Sequence, residues 1–94
     1  MEIRIGPHTM QRARERGTSE EEIKDVIESG FEIPAKGQRL GKARIYRYDQ
    51  ERLGRHYPEK RVEVFYTVEA GAIVTVTVYV FYGKWEDDRA STVR

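Results

Sequence analysis

Alternating apolar residues between Arg61 and Tyr82 constrain the fold of this chain more than any other feature. Apolar or tyrosine side chains occupy every second position in two runs, and Ala70-Gly71 separates these runs. A period of two places such side chains on one face of a strand, and a short glycine-containing break is typical of a hairpin turn. The pattern therefore predicts two antiparallel strands with a common apolar face. This face comprises Val62, Val64, Tyr66 and Val68 in one strand and Val74, Val76, Val78 and Val80 in the other.

The N-terminal third carries the signals of two short helices. Pro7 suits the first turn of a helix, and Gly17 suits the left-handed residue that follows a helix end. Ser19 and Glu22 have the spacing of a capping box, and Gly30 closes the second helix. The apolar stripe of this second helix consists of Ile23, Val26 and Ile27. We expect the stripe to pack on the valine face of the last strand.

Two further extended segments complete the predicted fold, at residues 31–33 and 43–48, and a polar loop is expected at residues 49–60. The sequence thus predicts an α+β fold, with two N-terminal helices on one face of an antiparallel sheet of three or four strands. We expect residues 1–94 to form a single domain. Residues 83–94 lack a periodic pattern and are predicted to form a loose tail.

Length and composition exclude several classes of protein. Ninety-four residues suffice for one hydrophobic core. The chain has no cysteine, which excludes a disulfide framework, a thiolate zinc site and a cysteine nucleophile. The longest apolar stretch is interrupted by Thr75 and Thr77 and is shorter than the ~20 residues that span a bilayer. We therefore expect a cytoplasmic protein that does not bind a membrane.

The distribution of charge is uneven although the net charge is only +1. Residues 36–61 contain nine basic and three acidic side chains, whereas residues 18–35 contain one basic and six acidic side chains. Local potential governs the attraction of a phosphate more than the total charge does. The basic central third therefore predicts an anionic partner, and RNA is the partner that we expect.

Three polar residues of the first helix follow one another at a spacing of four: His8, Arg12 and Arg16. This spacing places them on one side of the helix. A neutral imidazole can remove the proton of a ribose 2′-hydroxyl, and guanidinium groups can stabilise the charge that develops on the phosphate. The spacing predicts a metal-independent site for RNA cleavage. The alternative interpretation is a solvated basic helix face.

The predicted strand at residues 43–48 offers a second candidate site. Arg44, Tyr46 and Tyr48 are expected on one face, with Arg47 on the other. Tyrosines beside arginines can stack on exposed bases while the cations contact the nucleic-acid backbone. The alternative is cross-strand packing of tyrosines, with the arginines extending to solvent.

The remaining polar residues predict no further site. Glu22 is explained by its position in the capping box. His56 is expected to be an exposed loop residue, and the alternative is that it donates a proton to the leaving 5′-oxygen, a role for which Tyr79 is the other candidate. The histidines and carboxylates do not have the spacing of metal ligands, so we expect no metal and no other cofactor.

Residues 8–23 resemble the opening of a bacterial family called domain of unknown function 4258, and residues 76–79 resemble its closing strand. The shared pattern is a histidine, an arginine four residues later, an Arg-Gly pair and a second helix that begins Ser-Glu-Glu-Glu. That family is similar to RelE-type toxins and to the wider barnase–colicin–RelE group of ribonucleases. The resemblance implies two helices before a curved antiparallel sheet, and a metal-independent endoribonuclease with an antitoxin-like protein partner. His8, Arg12 and Arg16 match the family's polar helical positions, and Tyr79 matches its closing-strand aromatic residue.

Three functions follow from these observations. The first is an RNA-directed protein of the toxin-like nuclease fold, either a metal-independent endoribonuclease or a relative without catalytic activity. The second is a non-enzymatic module of the same fold that binds nucleic acid or an acidic protein. The third is an accessory protein that another chain recognises through the valine- and tyrosine-rich strand edge.

Overall fold

The computed structural model describes residues 1–85, which form two helices and one five-stranded sheet. In chain order the elements are β1 (Glu2–Arg4), α1 (Pro7–Arg16), α2 (Glu20–Ser29), β2 (Phe31–Ile33), β3 (Leu40–Arg52), β4 (Arg55–Glu69) and β5 (Ala72–Gly83). The strands lie in the order β1-β5-β4-β3-β2. β1 is parallel to β5, and the other neighbours are antiparallel. The predicted α+β class is confirmed, but the sheet is mixed and has five strands in place of three or four antiparallel ones.

Both differences in the sheet arise from β1, and a further difference lies in the expected loop; neither segment has a clear apolar period. β1 has only three residues, too few for a pattern, and its Ile3 packs against the core. The polar loop expected at residues 49–60 is wrong, because β3 and β4 continue as a hairpin that turns at Leu53 and Gly54. These two residues have φ values of 54° and 82°, as a two-residue hairpin turn with matching twist requires. The hairpin end is exposed, so its strands carry no apolar alternation.

The predicted helix boundaries are confirmed, because local chemistry sets them. Pro7 opens α1, and Gly17 follows it in the left-handed conformation with its N–H bonded to the Ala13 carbonyl. The Ser19 hydroxyl accepts a hydrogen bond from the Glu22 N–H at 3.2 Å, as expected of an N-cap.

The core lies between the helices and one side of the sheet, with α1 over β5 and α2 over β4 and β3. The predicted stripe of α2 is fully or almost fully buried, and it packs with Val62 and Val64 of β4. The expectation that it packs on the valine face of β5 is confirmed for Val78, which belongs to the same core cluster, and for Val80, which packs against it. It is wrong for Val74 and Val76, and α1 lies over β5. Val68, expected on the inner face of β4, is 48% exposed.

A bulge at Val76 interrupts the valine face of β5. Phe65 pairs with Thr77 and Tyr66 with Thr75, which leaves Val76 without a partner residue. One extra residue reverses the alternation, so Thr75 is buried, whereas Val74 and Val76 lie outside the core cluster. The Thr75 hydroxyl donates to the Thr9 hydroxyl at 3.0 Å and accepts from the Gly6 N–H at 3.3 Å. These bonds make a buried threonine acceptable at this position.

The sheet has a helix-facing side and a second side, which we call the outer face. The tail predicted for about residues 83–94 follows β5, whose last residue, Gly83, pairs with Glu59. The Trp85 N–H then donates to the Glu59 carboxylate at 2.7 Å, and the rest of the predicted tail lies outside the described residues.

Within residues 1–85 each helix has ten residues, and neither is long and apolar enough to cross a membrane.

Candidate nucleic-acid interface

An aromatic cluster lies on the outer face. Tyr79 and Phe81 alternate along β5 with the core residues Val78 and Val80, so they point away from the helices. Their rings stack with centroids 6.4 Å apart, and Phe65 contacts Tyr79 edge-on at 6.0 Å. Tyr79 is 40% exposed and Phe81 is 48% exposed. Large aromatic rings left in solvent in this way are typical of a binding surface.

A cleft of about 350 Å³ adjoins this cluster. One wall is the loop between β2 and β3, and the other is the outer face of β4 and β5. Its lining comprises Pro34, Ala35, Lys36, Arg39, Phe65, Thr77 and Tyr79. Gly37 has a φ of 63°, and the Arg39 N–H donates to the Lys36 carbonyl at 3.2 Å, so this loop forms a tight turn. The turn leaves Lys36 and Arg39 exposed at the cleft.

Arg16 brings a third cation to this surface from α1. β1 pairs only with Ala72–Val74, so Val78 lies where no strand of the described chain covers the outer edge of β5. The Arg16 guanidinium donates to the Val78 carbonyl at 2.7 Å and lies 4.8 Å from the centroid of the Tyr79 ring. Such a cation–π contact is electrostatically favourable. Arg16 and Tyr79 are therefore two predicted site residues that the fold brings together.

His8 and Arg12 do not join this pair. His8 is exposed in the first turn of α1, and a rise of 1.5 Å per residue places its Cα about 12 Å from that of Arg16. Arg12 forms an ion pair with Glu15 at 3.0 Å. The predicted common side of the helix follows from helix geometry, but catalysis by His8 and Arg12 stays a prediction.

Arg44 and Tyr46 face α2 and meet at one carboxylate. Arg44 is only 4% exposed and donates to Asp25 Oδ1 at 2.8 Å, while the Tyr46 hydroxyl donates to Asp25 Oδ2 at 2.6 Å. Burial, the hydrogen bond to Asp25 and the charge of that carboxylate raise the pKa of Tyr46 well above its ordinary value. The phenol therefore stays a proton donor to Asp25.

Tyr48 and Arg47 lie on opposite sides of β3, as predicted. Tyr48 packs against Tyr82 with ring centroids 5.1 Å apart, and the Lys60 ammonium lies 5.8 Å from the Tyr48 centroid. Arg47 is exposed on the outer face. The contacts of Arg44, Tyr46 and Tyr48 favour the packing interpretation of these residues, and their binding to nucleic acid stays a prediction.

Two residues that the sequence left without a site role lie close to charged side chains. Glu22 extends beyond its capping position, because its carboxylate accepts from the Thr18 hydroxyl at 2.7 Å and lies 2.8 Å from Lys60 Nζ. His56 is exposed, as expected, and lies 3.2 Å from Asp49. It belongs to a strand and not to the expected loop.

Sequence reasoning included Lys36 and Arg39 in the basic segment 36–61, but it missed Phe65 and Phe81 as residues of the candidate interface. Phe65 and Phe81 alternate with the core residues of β4 and β5, at the positions where polar side chains are usual in a sheet with one solvated side. Aromatic residues at these positions are a sequence signal for exposed rings on the outer face.

Comparison of the chain with protein-family models, with curated proteins and with solved structures found no match. Its interpretation therefore depends on the geometry of the site.

Proposed function

We propose that this protein binds RNA through the outer face of its sheet, with the cleft beside Tyr79 as the centre of the contact. The observation that carries this proposal is the meeting of aromatic rings and cations from distant parts of the chain. Phe65 and Tyr79 line a cleft that Lys36 and Arg39 border, and Arg16 lies over Tyr79.

The chemistry of this surface suits a nucleic acid. Bases stack on aromatic rings, and cations neutralise phosphates without reference to sequence. Lys36 and Arg39 have no acidic partner among residues 1–85, so their charges are available to an anion. The volume of about 350 Å³ lies near the lower end of the ~300–1,000 Å³ typical of small-ligand sites. A cleft of this size suits one unit of a polymer and not a whole folded partner.

Metal-independent cleavage of the bound RNA is the activity that we propose for this site. Cleavage through the 2′-hydroxyl requires a base for that hydroxyl, an acid for the leaving 5′-oxygen and positive charge at the phosphate. The Tyr79 phenol can donate a proton, and the Arg16 guanidinium beside it can stabilise the phosphate. The sequence predicts His8 as the base, but His8 lies at the other end of α1, so the proposal assigns only the acid and the phosphate contact to the cleft, and the role of His8 is tested separately. The order of two helices and antiparallel strands is in keeping with the RelE-like fold that the resemblance implies, and this assignment belongs to the same proposal.

Fluorescence anisotropy with labelled single-stranded RNA tests the binding. Replacing Tyr79 with Ala removes a stacking ring, a change that typically costs ~1–3 kcal/mol, so we expect affinity to fall about fivefold to 150-fold. Arg39→Glu should weaken binding to every sequence tested, and rising salt should weaken binding by the wild type. Arg14→Glu is the matched control, because it reverses an exposed arginine on α1 away from the cleft. Equal affinity in Tyr79→Ala and Arg39→Glu, or binding that ignores salt, contradicts the proposal.

A further inference from the structure

Side chains from three strands bind the C-terminal end of α1. The last carbonyls of a helix have no partner within the helix and must find one elsewhere. Here three successive carbonyls each accept a hydrogen bond from a different strand. The pairs are Glu15 with Arg52 of β3 at 3.0 Å, Arg16 with Tyr82 of β5 at 2.7 Å and Gly17 with Lys60 of β4 at 2.9 Å.

The middle pair has a particular consequence for the cleft. The Tyr82 hydroxyl binds the backbone carbonyl of Arg16, while the guanidinium of the same arginine binds the Val78 carbonyl. Both contacts come from β5, so Arg16 is fixed to one strand at its backbone and at the end of its side chain. The same guanidinium lies over the ring of Tyr79, which belongs to that strand as well.

Tyr82 is itself held firmly. Its ring centroid lies 5.1 Å from that of Tyr48 and 5.6 Å from that of Tyr57, and the Arg52 guanidinium lies 4.8 Å from it. Burial raises the pKa of the Tyr82 phenol, which keeps the group a donor. Gly17 makes room for it, because a Cβ at that position would overlap the Tyr82 hydroxyl.

We propose that Tyr82 is a positioning residue whose hydroxyl fixes Arg16 so that the guanidinium lies over Tyr79 at the cleft. The effect of this arrangement on RNA binding rests on the proposed function. The position of Arg16 does not, so the two are tested separately.

Nuclear magnetic resonance measures the position directly. A guanidinium side chain over an aromatic ring has its proton resonances displaced by the ring current. Tyr79→Leu removes that ring and defines the undisplaced resonances of Arg16. We expect Tyr82→Phe to remove at least half of the displacement, whereas Tyr57→Phe, the matched loss of a hydroxyl from the neighbouring ring, should preserve it. A full displacement in Tyr82→Phe overturns the proposal.

A second variant perturbs the same contact from the helix. Gly17→Ala places a methyl group where the Tyr82 hydroxyl lies and close to the Arg52 guanidinium, at a residue of left-handed conformation, so it disturbs the bond to Arg16 without a substitution in β5. We expect the same loss of the ring-current displacement in this variant. An unchanged displacement in Gly17→Ala also overturns the proposal, including when Tyr82→Phe does not fold.

RNA affinity then separates the positioning from the function. A hydrogen bond of this kind corresponds to about a two- to tenfold effect, so we expect that loss of affinity in Tyr82→Phe. In an Arg16→Gln background the same change should have no further effect on affinity. If Arg16→Gln and Tyr79→Ala both bind RNA like the wild type, the proposed function is wrong, and the resonance displacement alone decides the role of Tyr82.

Discussion

Replacing Asp25 with Ala should destabilise the protein far more than an ordinary surface change. Asp25 is the anion that the buried Arg44 guanidinium contacts, and it also accepts the Tyr46 hydroxyl. Without it, Arg44 at 4% exposure keeps its charge with no counterion, and its Nε already has no hydrogen-bond partner among the described residues. Removing one partner of a fully buried pair costs about 3–5 kcal/mol. The Asp25 side chain is 40% exposed, so water can reach part of the site and we expect about 2–4 kcal/mol.

Removing the Arg44 side-chain charge should lower the free energy of unfolding less than removing Asp25 does. Arg44→Met removes the charge that is difficult to hydrate and leaves Asp25 with access to water and to the Tyr46 hydroxyl. The double variant Asp25→Ala, Arg44→Met should therefore be more stable than Asp25→Ala alone. Glu20→Ala is the control, because its ion pair with Lys24 is exposed and worth only about 0.3–0.5 kcal/mol.

Urea unfolding followed by circular dichroism measures these differences, provided that the dependence on denaturant is the same in all variants. In a domain of this size, each kcal/mol also lowers the Tm by about 4–8 °C. The reasoning is refuted if Asp25→Ala is no less stable than Glu20→Ala. It is also refuted if Arg44→Met is the more damaging single change.

Three further predictions concern pH, the core and catalysis. Because the pKa of Tyr46 is raised in the folded state, its phenol keeps a proton that the unfolded state loses, so the free energy of unfolding should fall as pH rises above about 10. Urea titrations at pH 8 to 11 should show a smaller fall in Tyr46→Phe. Val78 is fully buried and Val76 is at the bulge, so Val78→Asp should destabilise the fold by several kcal/mol and Val76→Asp by clearly less. Thermal melts compare the two variants, and an equal Tm would contradict the bulge. A gel assay should show that RNA cleavage persists in EDTA and yields a cyclic phosphate. The cleavage rate should fall about 10²–10⁴-fold in His8→Ala and in Tyr79→Phe, and an undiminished rate in either variant would exclude the role of that residue.

Local free energy explains the parts of the fold that the sequence determines by itself. Pro7, Gly17 and Ser19 act within one turn of chain, so their positions are sufficient to predict where α1 ends and α2 begins. The presence of the hairpin between β4 and β5 is also local, since a short turn joins the two strands and sets the pairing next to it. The apolar stripe of α2 predicts its buried face for the same reason.

Tertiary structure decides what depends on residues distant in the chain. The bulge at Val76 exists where buried Thr75 bonds to Thr9 of α1, and no pattern in β5 alone contains that partner. The basic and aromatic pattern of β3 predicts a binding surface, but in the folded chain Asp25 of α2 forms an ion pair with Arg44. Strand order then places the outer edge of β5 under the C-terminal end of α1, where Arg16 reaches Tyr79. Sequence spacing groups Arg16 with His8 and Arg12 along the helix. The packing of α1 on the sheet brings Arg16 to Tyr79 instead, because the Val78 carbonyl at the uncovered edge of β5 accepts a hydrogen bond from the Arg16 guanidinium.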